Sequence, residues 1–474
     1  MRLTVIGTGY VGLVHAACMA DMGHMVLGID LDADRIESLA RGRTPFYEPG
    51  LGELLHRTIE SGHLRFTTSL AEAARFARTH FVCVGTPQRP DSNAADLRFV
   101  DAVMDDLAPY LRDLGGWCLV VGKSTVPVGT AVRLEERLGK VAPQAEIAWN
   151  PEFLREGFAV QDTLRPERLV AGVVSPRGEA TLRGVYAPML RVGIPFISTD
   201  LSTAELVKLA ANSFLATKIS FINAMAELCD ATGADVMTLA EAVGRDSRIG
   251  HAFLQPGLGF GGSCLPKDIR ALVARAEELG LGDSVAFLQQ VDEINTRQRR
   301  RAIALAKQLV GGSFSGRNVA VLGAAFKPGS DDVRDSPALA VAAGIYCQGA
   351  RVRVHDPRAV DRARAVFPGL QFALDVPKSC EDADVVLHLT AWPEYGEIDP
   401  ARLAAVVRRP VILDARHNLD AARWRSSGWT FRAFGRPWLG GPPPLDFDAR
   451  SVHRIHDVNE HDQSMFSSHG GLPQ

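Results

Sequence analysis

The chain has 474 residues, too many for one hydrophobic core, and the usual size of a folding unit points to about three. A hydrophobic content of 46% supplies material for those cores, and a net charge of -3 gives no sign of a nucleic-acid or membrane partner, although local basic pockets for phosphate stay open. Seven cysteines, at 18, 83, 118, 229, 264, 347 and 380, form no Cys-x-x-Cys pair, which argues against a disulfide framework and a thiolate zinc site.

The sequence starts on a strand-like run at 2–6 with no basic-then-apolar leader, and no uncharged apolar stretch is long enough to span a bilayer. A cytoplasmic protein is expected. The run passes into Gly7-Thr8-Gly9-Tyr10-Val11-Gly12, then a helical stretch ended by Gly23, then a second strand ending in Asp30. Strand, Gly-x-Gly-x-x-Gly, helix and a following acid is the order that a dinucleotide site requires. Gly7 makes the tight turn, Gly9 admits the pyrophosphate, Gly12 lets the helix pack, and Asp30 meets the ribose hydroxyls. The phosphates would sit at the helix N-terminus. Asp30 would repel a 2′-phosphate, so NAD is expected over NADP; Arg35 nearby either weakens that preference or is a solvated helix charge.

Strands at 80–84 and 117–121 continue the α/β alternation, and they break at Gly85-Thr86-Pro87 and Lys123-Ser124-Thr125-Val126-Pro127. Thr86 and Thr125 therefore stand at carboxyl ends of strands, where a cofactor binds or where a hydroxyl caps a turn. Asn150-Pro151 marks another turn, and Glu152 and Glu156 would share one face of a helix beginning there. Two such carboxylates serve acid/base chemistry or sugar hydroxyls, or act as ordinary first-turn acids; spacing alone slightly favours the last.

Ser202-Thr203-Ala204-Glu205 fits a capping box at the start of a helix running to about 231, roughly 40 Å long and enough to bridge two domains. Lys208 and Asn212 lie on one face of it, either lining a polar cleft or, for the lysine, snorkelling at the helix edge. A shorter helical pair should follow, then the loop Gly259-Phe260-Gly261-Gly262-Ser263-Cys264-Leu265-Pro266-Lys267-Asp268. This loop holds a thiol, a cation and a carboxylate together, and Lys267 is placed to stabilise a Cys264 thiolate. Helices at 269–279 and 284–310 lead to a second strand series at 318–323, 351–356, 383–388 and 411–414. Its first turn, Ala324-Ala325-Phe326-Lys327-Pro328-Gly329, replaces the glycine-rich loop, so this unit should not hold a second dinucleotide in the same way. Lys327, Arg334 and Arg416 sit at strand ends, where basic groups meet phosphates. The expected class is α/β: two doubly wound Rossmann-like domains, at 1–199 and 311–436, joined by a helical unit at 200–310 with one long helix. The stretch 437–474 reads as a disordered tail, and its histidines lack a ligand spacing, so no metal is expected.

In chain order, the Gly-x-Gly-Tyr-Val-Gly run, Gly-Thr-Pro, Lys-Ser-Thr-Val-Pro, Asn-Pro-Glu-Phe-Leu-x-Glu, Glu-Leu-x-Lys-x-x-x-Asn, the Cys264 loop and Phe-Lys-Pro-x-x-Asp-Asp-x-Arg-Asp at 326–335 resemble the UDP-glucose/GDP-mannose dehydrogenase family of nucleotide-sugar dehydrogenases. The match covers all but the tail. The resemblance implies a four-electron, NAD-dependent oxidation of a sugar C6 alcohol to a carboxylate, through a thiohemiacetal and a thioester on Cys264. In that pattern Lys208 and Asn212 stabilise the oxyanion, Asp268 and Thr125 position water or relay protons, and Glu152 serves thioester hydrolysis. It places Gly7, Gly9, Tyr10, Val11, Gly12, Asp30, Arg35, Thr86, Thr125, Glu156, Lys267 and Arg334 at NAD. It gives the nucleotide sugar Glu152, Phe153, Leu154, Arg155, Glu156, Lys208, Asn212, Phe253, Leu254, Gln255, Pro256, Gly257, Gly261, Lys327 and Arg416, with Arg248 reaching a partner subunit. The segment 208–218 and Arg248-Ile249-Gly250 look like the UDP-glucose branch, so oxidation of UDP-glucose to UDP-glucuronate is expected; the alternative is GDP-mannose or a UDP-N-acetylhexosamine. Ala415 and His417 depart from the family's usual pattern around Arg416. A homodimer through the long helix is expected, as in the family.

Overall fold

The structure, a computed structural model, describes residues 1–437; apart from Pro437, the expected tail lies outside the described residues. The first sheet contains β1 (Arg2–Ile6), β2 (Met25–Ile29), β3 (Leu64–Thr67), β4 (Thr79–Val82), β5 (Cys118–Gly122), β6 (Ala145–Trp149), β7 (Leu169–Val173) and β8 (Phe196–Thr199). Their order is β3-β2-β1-β4-β5-β6-β7-β8. β1 to β6 pair in parallel, β7 runs antiparallel to β6, and β8 is parallel to β7. β4 and β5 are buried throughout, because helices cover both faces, and this is why they read as unbroken apolar runs. The chain reverses direction of winding between β1 and β4. The crevice at their carboxyl ends is where an open parallel sheet binds its ligand.

A second sheet is built from β9 (Asn318–Leu322), β10 (Arg351–His355), β11 (Gln371–Ala373), β12 (Val385–His388), β13 (Val411–Asp414) and β14 (Thr430–Ala433), in the order β11-β10-β9-β12-β13-β14 and parallel throughout. It repeats the topology of the first sheet's opening six strands. Its first loop differs in use. The amides of Ala324 and Ala325 both donate to Asp356 Oδ2, at 2.7 and 2.9 Å. The acid at the end of β10 thus turns inward and occupies the donors that a phosphate would need.

The central helix, Leu201–Thr232, joins the two units; its 32 residues extend about 48 Å. It starts earlier than the expected capping box. Asp200 is the N-cap, accepting from Thr203 N at 2.8 Å, while Glu205 faces away and accepts from Gly129 N and Ala131 N at 2.7 and 2.6 Å. Glu205 therefore caps the helix Thr130–Val141 of the first unit, a partner that local sequence does not reveal. One helix, Val236–Gly244, follows instead of a pair, and the expected helix at 284–310 is divided into Gly282–Val285 and Phe287–Leu309. The central helix packs on Leu265–Glu278 and Phe287–Leu309. Its other side exposes Leu206 (43%), Phe214 (68%), Phe221 (48%) and Leu228 (57%), an apolar stripe at heptad-like spacing that the described residues leave uncovered. Among the described residues no helix is long and apolar enough to cross a membrane.

Candidate active site

Gly12 opens the packing of the helix Tyr10–Asp21 on the first strand: a Cβ there would stand 1.8 Å from Gly7 O. Gly9 is its N-cap, makes no side-chain cap, and would point a Cβ into open space, so backbone donors face a crevice. Asp30 accepts from Thr8 N and Thr8 Oγ1, both at 2.9 Å, and from Arg35 Nη1 at 3.1 Å. These bonds outweigh burial and hold its carboxyl below the usual range. Arg35 is thus paired rather than a free solvated charge. A cavity of about 400 Å³ adjoins this loop, lined by Gly9, Tyr10, Arg35, Glu156, Ser330 and Arg334 among others. The free amides, the open space at Gly9 and the ionised Asp30 fit a dinucleotide. Val11 follows Tyr10 on the same helix. Thr86 Oγ1 donates to Thr125 O at 2.7 Å, which ties the two expected threonine turns together beside the crevice.

The segment 150–158 forms no helix, which corrects the shared-face expectation for Glu152 and Glu156. Glu152 Oε2 accepts from Leu154 N at 2.7 Å, and its Oε1 takes Lys208 Nζ at 2.9 Å. Glu156 turns toward the other unit: Ser330 Oγ donates to it at 3.1 Å and Arg334 lies 3.8 Å away. Burial pushes Glu156 up to about 7, with Asp332 adding to the effect and Arg334 and Lys327 opposing it. Phe153 lies under Lys208 and Arg168, with its ring centroid 5.6 and 4.2 Å from their charges. Arg155 is exposed and engaged by Asp162.

Cys264 is solvent-accessible and forms the N-cap of Leu265–Glu278, where the helix dipole favours a thiolate. Protein nevertheless surrounds the thiol closely: burial pushes it up to about 11, Lys208 pulls it back, and Asp268, Glu152 and Glu156 reinforce the rise. Lys208 is the leading cation among them, while Lys267 takes another partner. Its ammonium lies 2.6 Å from Asp268, so the expectation that Lys267 supports the thiolate gives way to Lys208. Burial works against the Lys208 charge, but Glu152, Cys264 and Asp268 outweigh it and raise the group. Asn212 Nδ2 donates to Asp268 Oδ2 at 2.6 Å. Lys208 and Asn212, one turn apart, thus each hold one acid of the site.

The loop before Cys264 is clamped from three directions. Asn223 Oδ1 accepts from Gly257 N at 2.8 Å; Asn295 Oδ1 accepts from Phe260 N at 2.8 Å and its Nδ2 donates to Phe260 O at 3.0 Å; Gly262 N donates to Arg334 O at 3.1 Å. Gly259 is required by that fit, since a Cβ would fall 2.2 Å from Asn295 Oδ1. Arg416 is a fourth clamp, donating to Gly259 O at 2.9 Å and Leu389 O at 2.7 Å. Burial lowers it to about 10, and its Nη2 is buried with no partner among the described residues. Leu254 is buried at the loop's start, Phe253 holds φ of 65°, and Gln255 and Pro256 lead to Gly257. Gly261 packs against Asp335 and Pro337. Lys327 is lowered by burial, with Glu156 and Cys264 opposing. Arg248 stands apart on the surface, bound to Asp246.

Sequence reasoning missed Glu48, Asn223 and Asn295. Glu48 accepts from Tyr10 Oη, from Gly157 N at 2.6 Å and from Ala159 N at 2.7 Å, so it joins the cofactor loop to the Glu152–Glu156 segment. Asn223 and Asn295 are buried polar residues within helices, and that is a signal the sequence does carry. A larger cavity, about 670 Å³, lies between Glu48, Gly157 and Phe158 on one side and Gly329, Trp392 and Glu394 on the other. It contains none of the groups around Cys264, so chemistry rather than size marks the site.

Residues 1–190 match the NAD binding domain of the UDP-glucose/GDP-mannose dehydrogenase family, 202–297 its central domain, and 320–421 its UDP binding domain. The chain belongs to this family. It is 42% identical over 452 residues to a UDP-glucose 6-dehydrogenase of Pseudomonas aeruginosa, covering 93% of this chain and 98% of that one. With the UDP-glucose 6-dehydrogenase TuaD of Bacillus subtilis it shares 39% over 449 residues, 94% and 95% of the two chains. Among solved structures, a UDP-glucose dehydrogenase from the archaeon Pyrobaculum islandicum superimposes with a TM-score of 0.84 at 40% identity, covering 92% of this chain and 98% of that one. The expected α/β architecture, the family and the NAD cofactor are therefore established for this chain.

Proposed function

We propose that this chain oxidises the C6 alcohol of UDP-glucose to the carboxylate of UDP-glucuronate, with Cys264 as nucleophile. The reading is carried by the charge cluster at Cys264, where one accessible thiol faces Lys208, Glu152, Asn212 and Asp268. The relatives' names and the fit of the first crevice to a dinucleotide support it. NAD, held by the loop at 7–12, Asp30, Arg35 and the threonines 86 and 125, with Glu156, Lys267 and Arg334 along its length, supplies a hydride acceptor in each of two oxidations. The thiol adds to the C6 aldehyde, its proton passing to the carbonyl oxygen, and gives a thiohemiacetal. Loss of a hydride and a proton gives the thioester. Water aligned by Glu152, with Thr125 and Asp268 in the relay, then cleaves the carbon–sulfur bond and restores the thiol. Lys208 and Asn212 donate to the oxygen as negative charge grows on it. The sugar nucleotide would lie along 152–156, 253–257 and Gly261, with Lys327 and Arg416 from the third unit; the unpartnered Arg416 Nη2 supports a ligand contact there.

We take the chain as three units, 1–199, 200–310 and 311–436. Its apolar stripe on the central helix supports a homodimer, to which Arg248 would contribute from the surface. Seven free cysteines among the described residues fit a reducing, cytoplasmic setting, and supply of uronate for polysaccharide synthesis is the matching role. The test is stoichiometry on a panel of nucleotide sugars. Two NADH per UDP-glucose, with GDP-mannose and UDP-N-acetylhexosamines turned over poorly, is the expected result. A ratio of one, or full acid formation by Cys264→Ala, refutes the covalent route.

A further inference from the structure

Lys123 follows β5 directly and is buried. Its ammonium donates to both oxygens of Asn150, to Oδ1 at 2.9 Å and to the backbone O at 3.2 Å, and Asn150 Oδ1 also accepts from Tyr186 Oη at 2.6 Å. Asn150 Nδ2 donates in turn to Val170 O at 2.7 Å. Every acceptor that Lys123 uses is neutral. The two lysines beside Cys264 have carboxylate partners, Lys208 in Glu152 and Lys267 in Asp268, but among the described residues none pairs with Lys123. A buried ammonium on neutral oxygens is costly to the fold, and such a cost is retained where the charge has a use.

The ionisable groups that face it come from each element packed around it: His15 on the cofactor helix, Cys83 after β4, Glu152 on the segment after β6, Lys208 on the central helix, and Tyr186 through Asn150. Burial keeps His15, Cys83 and Tyr186 neutral near pH 7. The positive field of Lys123 therefore falls on Glu152 and Lys208, both of which also act on the thiol. Asn150, which Lys123 holds, follows β6 directly and stands two residues before Glu152 in the irregular segment that carries it.

We propose that Lys123 is a positioning residue for the Glu152–Lys208 pair, fixing Asn150 and so the segment that carries Glu152, with its buried ammonium set beside the pair. This rests on the dehydrogenase reading above. Burial brings Lys123 down to about 8, so its charge weighs on the folded state below that pH, and the penalty fades as pH climbs toward the ordinary lysine range.

The test compares Lys123→Met and Lys123→Gln with the wild-type full chain, by thermal unfolding and by the pH profile of kcat with UDP-glucose and NAD. Removing a buried positive charge beside the pair should move both limbs of the kcat profile up by about half to one pH unit. The Tm at pH 7 should equal or exceed that of the wild type, with any advantage shrinking toward pH 10. Lys123→Gln keeps a donor for Asn150 but no charge, so it should shift the limbs as Lys123→Met does, and it decides the matter alone if the methionine variant does not fold. Unmoved limbs, or a lower Tm in both variants at pH 7, overturn the proposal and leave Lys123 a structural strut. Wild-type protein that forms no NADH from any nucleotide sugar overturns the dehydrogenase reading instead, and the Tm comparison still decides whether the charge burdens the fold.

Discussion

Lys208 and Glu152 form an ion pair at 2.9 Å with side chains only 5% and 10% exposed, and replacing Lys208 by methionine separates its two roles. At an effective dielectric near 20, charges at that distance attract by roughly 6 kcal/mol, most of which offsets the desolvation of both ions. Lys208→Met leaves the Glu152 carboxylate buried with, among the described residues, only Leu154 N to satisfy it, so the fold should lose about 3–5 kcal/mol. Adding Glu152→Gln removes the stranded charge and should return most of that stability. Turnover should not follow. On the proposed route Lys208 is the charged donor at the developing oxyanion; its loss should cost on the order of 10²–10³ in kcat, and a second neutral side chain cannot replace it. Thermal melts and initial rates of NADH formation at saturating UDP-glucose measure the two effects separately. A double variant that melts no higher than Lys208→Met, or a single variant that keeps more than about a tenth of wild-type kcat, would refute the reasoning.

Glu156 should make stability depend on pH: with its folded value pushed up to about 7, it binds a proton more tightly folded than unfolded between pH 4.5 and 7, so stability falls across that window, by up to about 3 kcal/mol at the top. Glu156→Gln should flatten that part of the pH–Tm curve, and an unchanged slope would show that other groups produce it. Phe214→Glu with Phe221→Glu places charge in the apolar stripe of the central helix, and light scattering should then report monomers in place of the dimer proposed for the wild type. Wild type and variant of equal mass would remove the stripe from the interface.

Much of the site could be read because its signals are local. Gly7, Gly9 and Gly12 lie within one turn, Asp30 closes the next strand, and Lys208 and Asn212 share a helix face at a spacing of four. What escaped depends on partners distant in sequence. Glu48 and Gly157 are 109 residues apart, and nothing near Glu48 announces that contact. Glu205 misled for the same reason: its spacing from Ser202 imitates a capping box, but tertiary packing gives it the amides of another helix. Glu152 and Glu156, four apart, would share a face on a helix beginning there, whereas the segment is irregular and they take separate partners, Lys208 and Ser330. β7 and β8 also went unread, as an antiparallel excursion at the sheet's far edge leaves no periodicity of its own.

The inward turn of Asp356 bears on how the reaction must be paced. By occupying the Ala324 and Ala325 amides it leaves the described residues with two copies of one topology but a single seat for a dinucleotide. Two oxidations at one seat require the reduced cofactor to depart and a fresh one to enter while the sugar is half converted. A free aldehyde could escape during that exchange. On the proposed route the bond to Cys264 serves as a tether across the interval, so the need for a covalent intermediate follows in part from a carboxylate on the opposite sheet.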